Sequence, residues 1–329
     1  MLKQTPDQFG FRFFLLCYST DQRKVERHRW LSFLQDVSST TFMLKRGAPW
    51  QATCIFLSRT WFNLTLFVVL ILWLVGSYLS RFIYKLGVFR LRFSEDASIA
   101  VGSLCAKLFF RLNPQVRTVH VGGGPNWSLE AYTQPRMLMM NHSSFLDFFL
   151  FSSLMNPIMA FAMHPRCIIA EKLTRLPFFG KGVGEYSGSF PVYFKATNGG
   201  ISGGEGDSFS VDKEKQQLDA ERMRAHVVTG GSLVICPEGT VNASPPGLQT
   251  FRNGSFKLAI ELGMEIWGVV FLGAHECWPK KKGLGGFPCT VLVSDFRHLL
   301  TPTADMNVEA VSAECRCVPT FPAFLFPRR

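Results

Sequence analysis

The sequence predicts an α/β fold in which a mixed, mostly parallel sheet is covered by helices, with an N-terminal helix that anchors the chain in a membrane. The sheet is predicted because short apolar runs alternate along the chain with longer helical patterns. The anchor is predicted because the stretch between Arg59 and Arg81 is uncharged and apolar, and its length of about 20 residues matches the span of a bilayer. Composition agrees with this, since hydrophobic residues make up 47% of the 329 positions and charged residues only 18%.

Each element of the sheet region has its own pattern. An apolar helix is expected from Phe145 until Pro157 ends it, and the Gly/Ser-rich segment 197–210 predicts a mobile surface loop. Strands are predicted at 137–140, 190–194, 232–236 and 266–272, and further helices at 212–228 and 254–262.

The charge and cysteine content exclude several classes of protein. The 35 basic and 24 acidic residues give a net charge of +11. A nucleic-acid-binding protein of this charge is usually richer in lysine and arginine and poorer in phenylalanine, which occurs 32 times here. The nine cysteines are scattered and odd in number, so neither a disulfide framework nor a zinc site is expected. We therefore expect a lipid bilayer as partner, and no nucleic acid or metal.

The apolar segment divides the chain. Trp61 and Tyr78 lie near its two ends, where amphipathic rings favour the membrane interface. A cleavable signal peptide is disfavoured because a long segment precedes it, and a buried helix of a soluble protein is the alternative. Basic residues flank both ends, so the orientation is open. We expect an N-terminal basic extension at 1–59, a single transmembrane helix at 60–80, an α/β domain at 81–300 and a C-terminal tail at 301–329.

The first cluster of reactive side chains lies at 141–147, directly after a predicted strand, and runs from Asn141 and His142 to Asp147. Five positions on a helix separate side chains by about 140°, so His142 and Asp147 can meet only if His142 lies in a turn before the helix. In that geometry the Asp147 carboxylate would orient one imidazole nitrogen while the other faces a substrate hydroxyl. The alternative is a helix cap formed by Ser143 and Ser144, with an incidental histidine and aspartate.

The second cluster follows the predicted strand 232–236 and reads Pro237-Glu238-Gly239-Thr240. A strand that ends in this turn puts a carboxylate and a hydroxyl at the carboxyl edge of a sheet, where ligands of α/β folds bind. Cationic side chains follow at Arg252 and Lys257. Taken separately, the run is also compatible with an ordinary strand-to-loop turn.

Together and in this order, the two clusters resemble the glycerolipid acyltransferase family, whose type members are the 1-acylglycerol-3-phosphate (lysophosphatidic acid) acyltransferases. The family's Asn-His-x4-Asp motif is matched by Asn141, His142 and Asp147, and its Pro-Glu-Gly-Thr motif by residues 237–240. Looser matches are a Lys-x4-Pro-x2-Gly run at Lys172, Pro177 and Gly180, a run from Gly188 to Lys195, and a Phe-Lys-x-Gly-x-Phe run at Phe251, Arg252, Gly254 and Phe256. The resemblance covers residues 136–272.

The resemblance implies an O-acyltransferase of phospholipid biosynthesis, which moves a fatty acyl group from acyl-CoA to the free hydroxyl of 1-acylglycerol-3-phosphate and so makes phosphatidic acid. His142 would be the general base, oriented by Asp147. Acyl-CoA would be a co-substrate, with no bound cofactor, in an integral membrane protein of the endoplasmic reticulum. The residues expected to bind substrates are Asn141, Lys172, Lys195, Pro237, Glu238, Gly239, Thr240, Arg252 and Gly254, and the phenylalanine-rich helix from Phe145 would line the acyl chain.

Two departures from the family pattern keep other functions open. The arginine that usually follows Glu-Gly-Thr is Val241, and the arginine of the run from Gly188 is Lys195, which lacks the bidentate guanidinium. The acceptor could therefore be glycerol-3-phosphate or another lysophospholipid, and a non-catalytic membrane adaptor is a remoter alternative. A serine lipase or esterase is suggested by a Gly-x-Ser-x-Gly run around Ser202, although a nucleophile elbow needs a flanking strand and helix.

Overall fold

The computed structural model describes residues 49–121, 134–194, 211–245 and 247–317, and the chain divides into two units, Met1–Phe56 and Leu57–Arg329. In the first unit, residues 49–56 begin a long helix. The predicted extension up to residue 48, Lys195, the 197–210 loop with Ser202, and tail residues 318–329 lie outside the described residues.

Helices and strands alternate along the second unit, which confirms the predicted α/β class. The strands are β1 Val116–Val121, β2 Arg136–Met140, β3 Arg166–Ala170, β4 Phe190–Val192, β5 Leu233–Ile235, β6 Glu265–Val269, β7 Phe271–Leu272, β8 Cys289–Ser294 and β9 Arg297–Leu300. The helices are α1 Pro49–Lys85, α2 Leu91–Leu112, α3 Asp147–Leu154, α4 Pro157–Met163, α5 Glu171–Thr174, a π-helix at Gly180–Tyr186, α6 Lys213–Val228, α7 Asn253–Leu262, α8 Ala274–Cys277 and α9 Val308–Cys317.

A six-stranded sheet with the order β4-β3-β5-β2-β6-β9 forms the centre of the domain, and its neighbours pair in parallel except β6 and β9. Every residue of β2 is buried. Leu138 and Met140 pack in one hydrophobic core, and Met137 and Met139 pack in a second core. Because strand side chains alternate between faces, β2 lies between two apolar layers, as is typical of the central strand of a parallel sheet.

A second, three-stranded sheet with the order β1-β8-β7 adjoins the first, and the sequence did not predict it. The single strand predicted at 266–272 is wrong, because the chain leaves the first sheet at Val270 and continues as β7 in the second. At this point Ser294 Oγ accepts the Val270 N–H at 2.8 Å, and the Ser294 N–H donates to the Val270 carbonyl at 3.0 Å. An unbroken apolar run does not reveal such a switch, since both parts are buried.

Helix α1 includes the predicted apolar segment 60–80 and extends beyond it on both sides. One face, with Phe62, Val69 and Trp73, is buried in the core of the domain. The opposite face is apolar and exposed, and includes Leu57, Trp61, Leu64, Val68, Leu72, Val75, Tyr78 and Leu79. The segment Ala52–Lys85 is long and apolar enough to cross a membrane, but a core helix of a soluble protein meets the same criterion.

Helix α2 is held to the sheet by buried ion pairs. The Arg166 guanidinium at the start of β3 donates to Asp96 Oδ1 at 2.8 Å and to Glu95 Oε2 at 2.9 Å. The side chains of Arg166 and Asp96 are each only 1% exposed. Replacement of Asp96 would break the fully buried pair, which is strongly destabilising.

The breaks around the remaining helices follow from local chemistry. The predicted end before Pro157 is confirmed, because Pro157 opens α4 and the Asn156 side chain caps it by accepting the Met159 N–H at 2.8 Å. The predicted elements at 137–140, 190–194, 212–228, 232–236 and 254–262 are confirmed to within two residues at each end. Helix α9 lies in the segment 301–329, where it packs against α7 and buries Val311 and Cys315.

Candidate active site

The two sequence clusters meet because β2 and β5 are adjacent and parallel. Their register pairs Met137 with Leu233 and Met139 with Ile235. The residues that follow both strands therefore emerge side by side at the carboxyl edge of the sheet, which is the usual ligand-binding edge of α/β folds. Residues 141–147 and 236–240 are in this way brought into direct contact.

His142 and Asp147 form the pair that the sequence predicted. His142 lies in the turn before α3, and Asp147 is the first residue of that helix. His142 Nδ1 is 3.3 Å from Asp147 Oδ2. The Asp147 side chain is completely buried, whereas the His142 side chain is 22% exposed. The carboxylate thus contacts one nitrogen of an imidazole ring that solvent or a substrate can reach.

The serines between them hold the carboxylate in place. The Ser144 N–H donates to Asp147 Oδ2 at 2.7 Å, and Ser143 Oγ donates to Asp147 Oδ1 at 3.4 Å. Burial raises the pKa of Asp147, and the hydrogen bonds from His142 and Ser144 oppose that shift. The N-cap residue of α3 is Leu146 and no side chain caps it, so the serine cap that the sequence offered as an alternative does not form, and the two serines bind the Asp147 carboxylate instead.

Glu238 holds the turn before α3 from the neighbouring strand. Its Oε1 atom accepts the backbone N–H of His142 at 2.7 Å, and its Oε2 atom accepts the backbone N–H of Gln249 at 3.0 Å. The residue is 2% exposed, and burial raises the pKa of its carboxyl group. This arrangement differs from the substrate-binding role that the resemblance implies, because both carboxylate oxygens bind the protein's own backbone.

Asn141 is also engaged with backbone groups. Its Nδ2 atom donates to the Phe271 carbonyl at 2.9 Å, and its Oδ1 atom accepts the Phe271 N–H at 2.7 Å. These two bonds tie the end of β2 to β7 and leave the buried amide little freedom to turn toward a substrate. Asn141, like Glu238, therefore positions the segment that contains His142.

The turn after β5 requires a glycine, and an arginine side chain packs against that glycine. Gly239 has a φ of 73°, and a β-carbon there would lie 2.4 Å from Arg252 Nε, so the arginine side chain packs directly on the glycine. The Arg252 N–H donates to the Pro237 carbonyl at 2.8 Å. Val241, at the position of the family's arginine, is buried. The guanidinium beside the turn thus comes from Arg252.

Cys236, which the sequence did not single out, directly follows β5 and lies near enough to Asp147 and Glu238 for both charges to act on its thiol. Burial raises the pKa of its thiol well above the usual range, and the charges of Asp147 and Glu238 raise it further. A thiolate nucleophile is therefore disfavoured here at neutral pH. Among the residues that the structure describes, no group of three or more His, Cys, Asp or Glu is placed to hold a metal ion.

The other predicted binding residues are less closely gathered. Lys172 is exposed in α5, directly after β3, and so lies at the same sheet edge two strands from β2. Gly254 is exposed in the first turn of α7, and Thr240 Oγ1 donates to Gln249 Oε1 at 3.4 Å. Lys195 lies outside the described residues.

Trp278, Gln249 and Asn242 belong to the site although the sequence reasoning missed them. The Asn242 N–H donates to the His142 carbonyl at 2.6 Å. Ser144 Oγ donates to the Trp278 carbonyl at 3.0 Å. These contacts of Asn242 and Trp278 join residues at least 100 positions apart, so no local pattern could have indicated them.

A small apolar cavity lies against α3, between α1, α2 and the sheet. Phe148 and Phe151 of α3 contribute to its wall, and Phe148 stacks on Trp73 of α1 with ring centroids 5.8 Å apart. The remaining lining residues are Ile99, Ser103, Ser152, Met155, Pro165, Cys167, Val183, Ser187, Ser189 and Val234.

Comparison with known proteins agrees with the geometry. Residues 128–272 match the Acyltransferase family. The chain is similar to the crystal structure of the 1-acyl-sn-glycerophosphate (LPA) acyltransferase PlsC from Thermotoga maritima, with 16% sequence identity and a TM-score of 0.55 over 81% of this chain and 93% of that chain. No curated protein sequence matches. The structural likeness shows a common fold, and residues 128–272 of this chain are similar to the Acyltransferase family.

Proposed function

We propose that this protein is a membrane-associated enzyme that transfers a fatty acyl group from acyl-CoA to the free hydroxyl of 1-acylglycerol-3-phosphate, giving phosphatidic acid. The observation that supports it best is the contact between the buried Asp147 carboxylate and the partly exposed His142 ring, inside the family-matched segment. The similar PlsC structure is that of a lysophosphatidic acid acyltransferase, which agrees with this acceptor.

The pair can perform general-base catalysis. Asp147 keeps the proton of His142 on Nδ1, so Nε2 is free to accept the proton of the acceptor hydroxyl as its oxygen attacks the thioester carbonyl. The tetrahedral intermediate then collapses, the C–S bond breaks, and the coenzyme A thiolate leaves and takes up a proton. Asp147 stabilises the imidazolium that forms in the first step. Because the thiolate is a good leaving group, no covalent acyl-enzyme is needed.

Cations at the same sheet edge suit the phosphates of both substrates. Arg252 lies on Gly239, next to the loop that Glu238 connects to His142. Lys172 is exposed directly after the end of β3. An arginine binds a phosphate with two parallel hydrogen bonds, so we assign the acceptor phosphate to Arg252.

Two apolar surfaces of the protein suit the acyl chain of the substrate and the hydrocarbon of the membrane. We assign the acyl chain to the cavity lined by Phe148 and Phe151. We place the exposed apolar face of α1 in the bilayer, with the endoplasmic reticulum as the expected organelle and a single span as the expected arrangement. Resistance to alkaline extraction, combined with protease accessibility of each end of α1, tests the span: accessibility of both ends from one side would contradict it.

The test is release of free thiol from long-chain acyl-CoA by membranes that contain the protein, with and without lysophosphatidic acid. We expect acceptor-dependent release that is lost in His142→Ala and kept in His298→Ala, because His298 is exposed on β9. Release that ignores the acceptor, or that persists in His142→Ala, would refute the proposal.

A second acceptor class is favoured by one observation, the buried Val241 where the family has an arginine. Glycerol-3-phosphate and lysophospholipids with larger head groups are therefore tested in the same assay. A higher kcat/KM for one of these would reassign the acceptor and leave the His142 mechanism in place.

A further inference from the structure

The loop at residues 278–287, called the lysine loop below, connects α1 to the candidate active site. On the side of α1, Ser58 Oγ donates to the Gly286 carbonyl at 3.0 Å, and Asn63 Nδ2 donates to the Gly285 carbonyl at 3.2 Å. A β-carbon at Gly286 would lie 2.6 Å from Phe62 Cβ, so the loop backbone rests directly on the helix. The loop is therefore fixed to α1 by several contacts at one place.

The other end of the lysine loop touches the segment that contains His142. The Trp278 carbonyl accepts the hydrogen bond from Ser144 Oγ at 3.0 Å. The Trp278 ring also lies 5.7 Å from the Phe145 ring, measured between centroids, and Phe145 is 41% exposed. Ser144 in turn donates its N–H to Asp147. Two short contacts thus separate the loop from the catalytic pair.

Between these two anchors the loop presents positive charge beside apolar surface. It contains three consecutive lysines at 280–282, and Lys281 and Lys282 are exposed. Neither forms an ion pair with any residue that the structure describes. Leu284, 57% exposed, follows on the same loop, and Arg59 of α1 donates to its carbonyl at 3.2 Å.

From this juxtaposition we infer that the lysine loop is a docking surface for the anionic headgroups of a bilayer. Lysines next to exposed aliphatic and aromatic side chains are typical of surfaces that lie at the membrane interface. Here the neighbouring face of α1 supplies such side chains, with Trp61 at 47% and Leu64 at 53% exposure. A surface that binds only free phosphate would not need this apolar border.

The inference predicts that the protein prefers anionic bilayers, in addition to the apolar contact of α1 with the membrane. It does not depend on the reaction proposed above. Docking of the loop would hold the mouth of the His142 site against the headgroup layer. An acceptor with a charged phosphate head is itself an anionic component of that layer.

Binding to vesicles tests the inference directly. The full-length protein, purified in a mild detergent and diluted below its micelle-forming concentration, is floated with vesicles of phosphatidylcholine or of phosphatidylcholine with phosphatidylglycerol. The variant is Lys281→Gln with Lys282→Gln, and the matched control is Lys215→Gln with Arg224→Gln, two exposed cations of α6. At about 1 kcal/mol per lysine near an anionic surface, we expect the variant to bind the anionic vesicles about thirtyfold more weakly.

The results distinguish a loss of lysine charge from a folding defect and from weaker binding of acyl-CoA. We expect equal binding of all proteins to neutral vesicles, and full recovery of anionic binding in Lys281→Arg with Lys282→Arg. An unchanged affinity of the glutamine variant for anionic vesicles would overturn the inference. A raised KM for acyl-CoA in neutral micelles, with unchanged vesicle binding, would also overturn it and assign the lysines to the donor's phosphates.

Discussion

Replacement of Glu238 by glutamine separates a positioning role from a substrate-binding role. Each carboxylate oxygen of Glu238 accepts one backbone N–H, from His142 at 2.7 Å and from Gln249 at 3.0 Å. Glutamine has nearly the same shape but offers only one oxygen, and its amide NH₂ would face one of the two N–H donors. The variant therefore loses one hydrogen bond at a buried position while the rest of the packing is kept.

The size of the effect follows from these contacts. A hydrogen bond to a charged group is worth about 1.5–3 kcal/mol. Burial raises the pKa of Glu238, which means that its charged form is destabilised in the folded protein. Removal of the charge therefore offsets part of the lost hydrogen-bond energy, and we expect a net loss of about 1–2 kcal/mol in the free energy of unfolding. The larger effect should be on activity, since a catalytic group displaced by 1 Å can lose about 10²-fold in rate.

The assay compares kcat and KM for the acceptor in the wild type, Glu238→Gln and the control Glu261→Gln, whose carboxylate forms an exposed ion pair with Arg224. We expect kcat of Glu238→Gln to fall about 10²-fold with little change in KM, and the control to behave as the wild type. A raised KM with unchanged kcat would show that Glu238 binds the acceptor, and would refute the positioning argument.

Three further predictions concern Asp147 and Gly239 of the candidate site and His226 of α6. Asp147→Asn should lower kcat about 10³–10⁴-fold at unchanged KM, because the amide favours the wrong tautomer of His142; a loss of less than tenfold would contradict the pair. Gly239→Ala should destabilise the turn by about 1–2 kcal/mol and raise the KM for the acceptor, because the new methyl group displaces Arg252; an unchanged KM would separate Arg252 from phosphate binding. Burial lowers the pKa of His226 to about 4, so between pH 6.5 and 4 the unfolded chain binds a proton that the folded chain does not, and stability falls with falling pH. In chemical unfolding, the wild type should lose about 2 kcal/mol more than His226→Gln between pH 7 and pH 5, and parallel pH profiles would contradict this.

The sequence by itself determined the parts of the molecule that depend on local chemistry. The apolar runs and turn residues placed β2, β4, β5, α6 and α7, because these elements follow from side-chain periodicity and from glycine and proline. The spacing of His142 and Asp147 allows the two side chains to meet only if His142 lies in a turn before the helix, and α3, which begins at Asp147, leaves His142 in such a turn. The order of the two clusters indicated the acyltransferase family.

The tertiary structure decided which groups the residues of each cluster contact. The hydrogen bonds of Asn141 to Phe271 and of Glu238 to His142 join residues 130 and 96 positions apart in the chain, and β6 ends just before Val270, which is hydrogen-bonded to Ser294 of β8. A sequence specifies such contacts only through the fold as a whole, because the partner of a buried polar group depends on which strands become neighbours. Residue types therefore predicted which side chains gather at the site, whereas the strand order β5-β2-β6 decided which of them stay accessible and which bind the protein's own backbone.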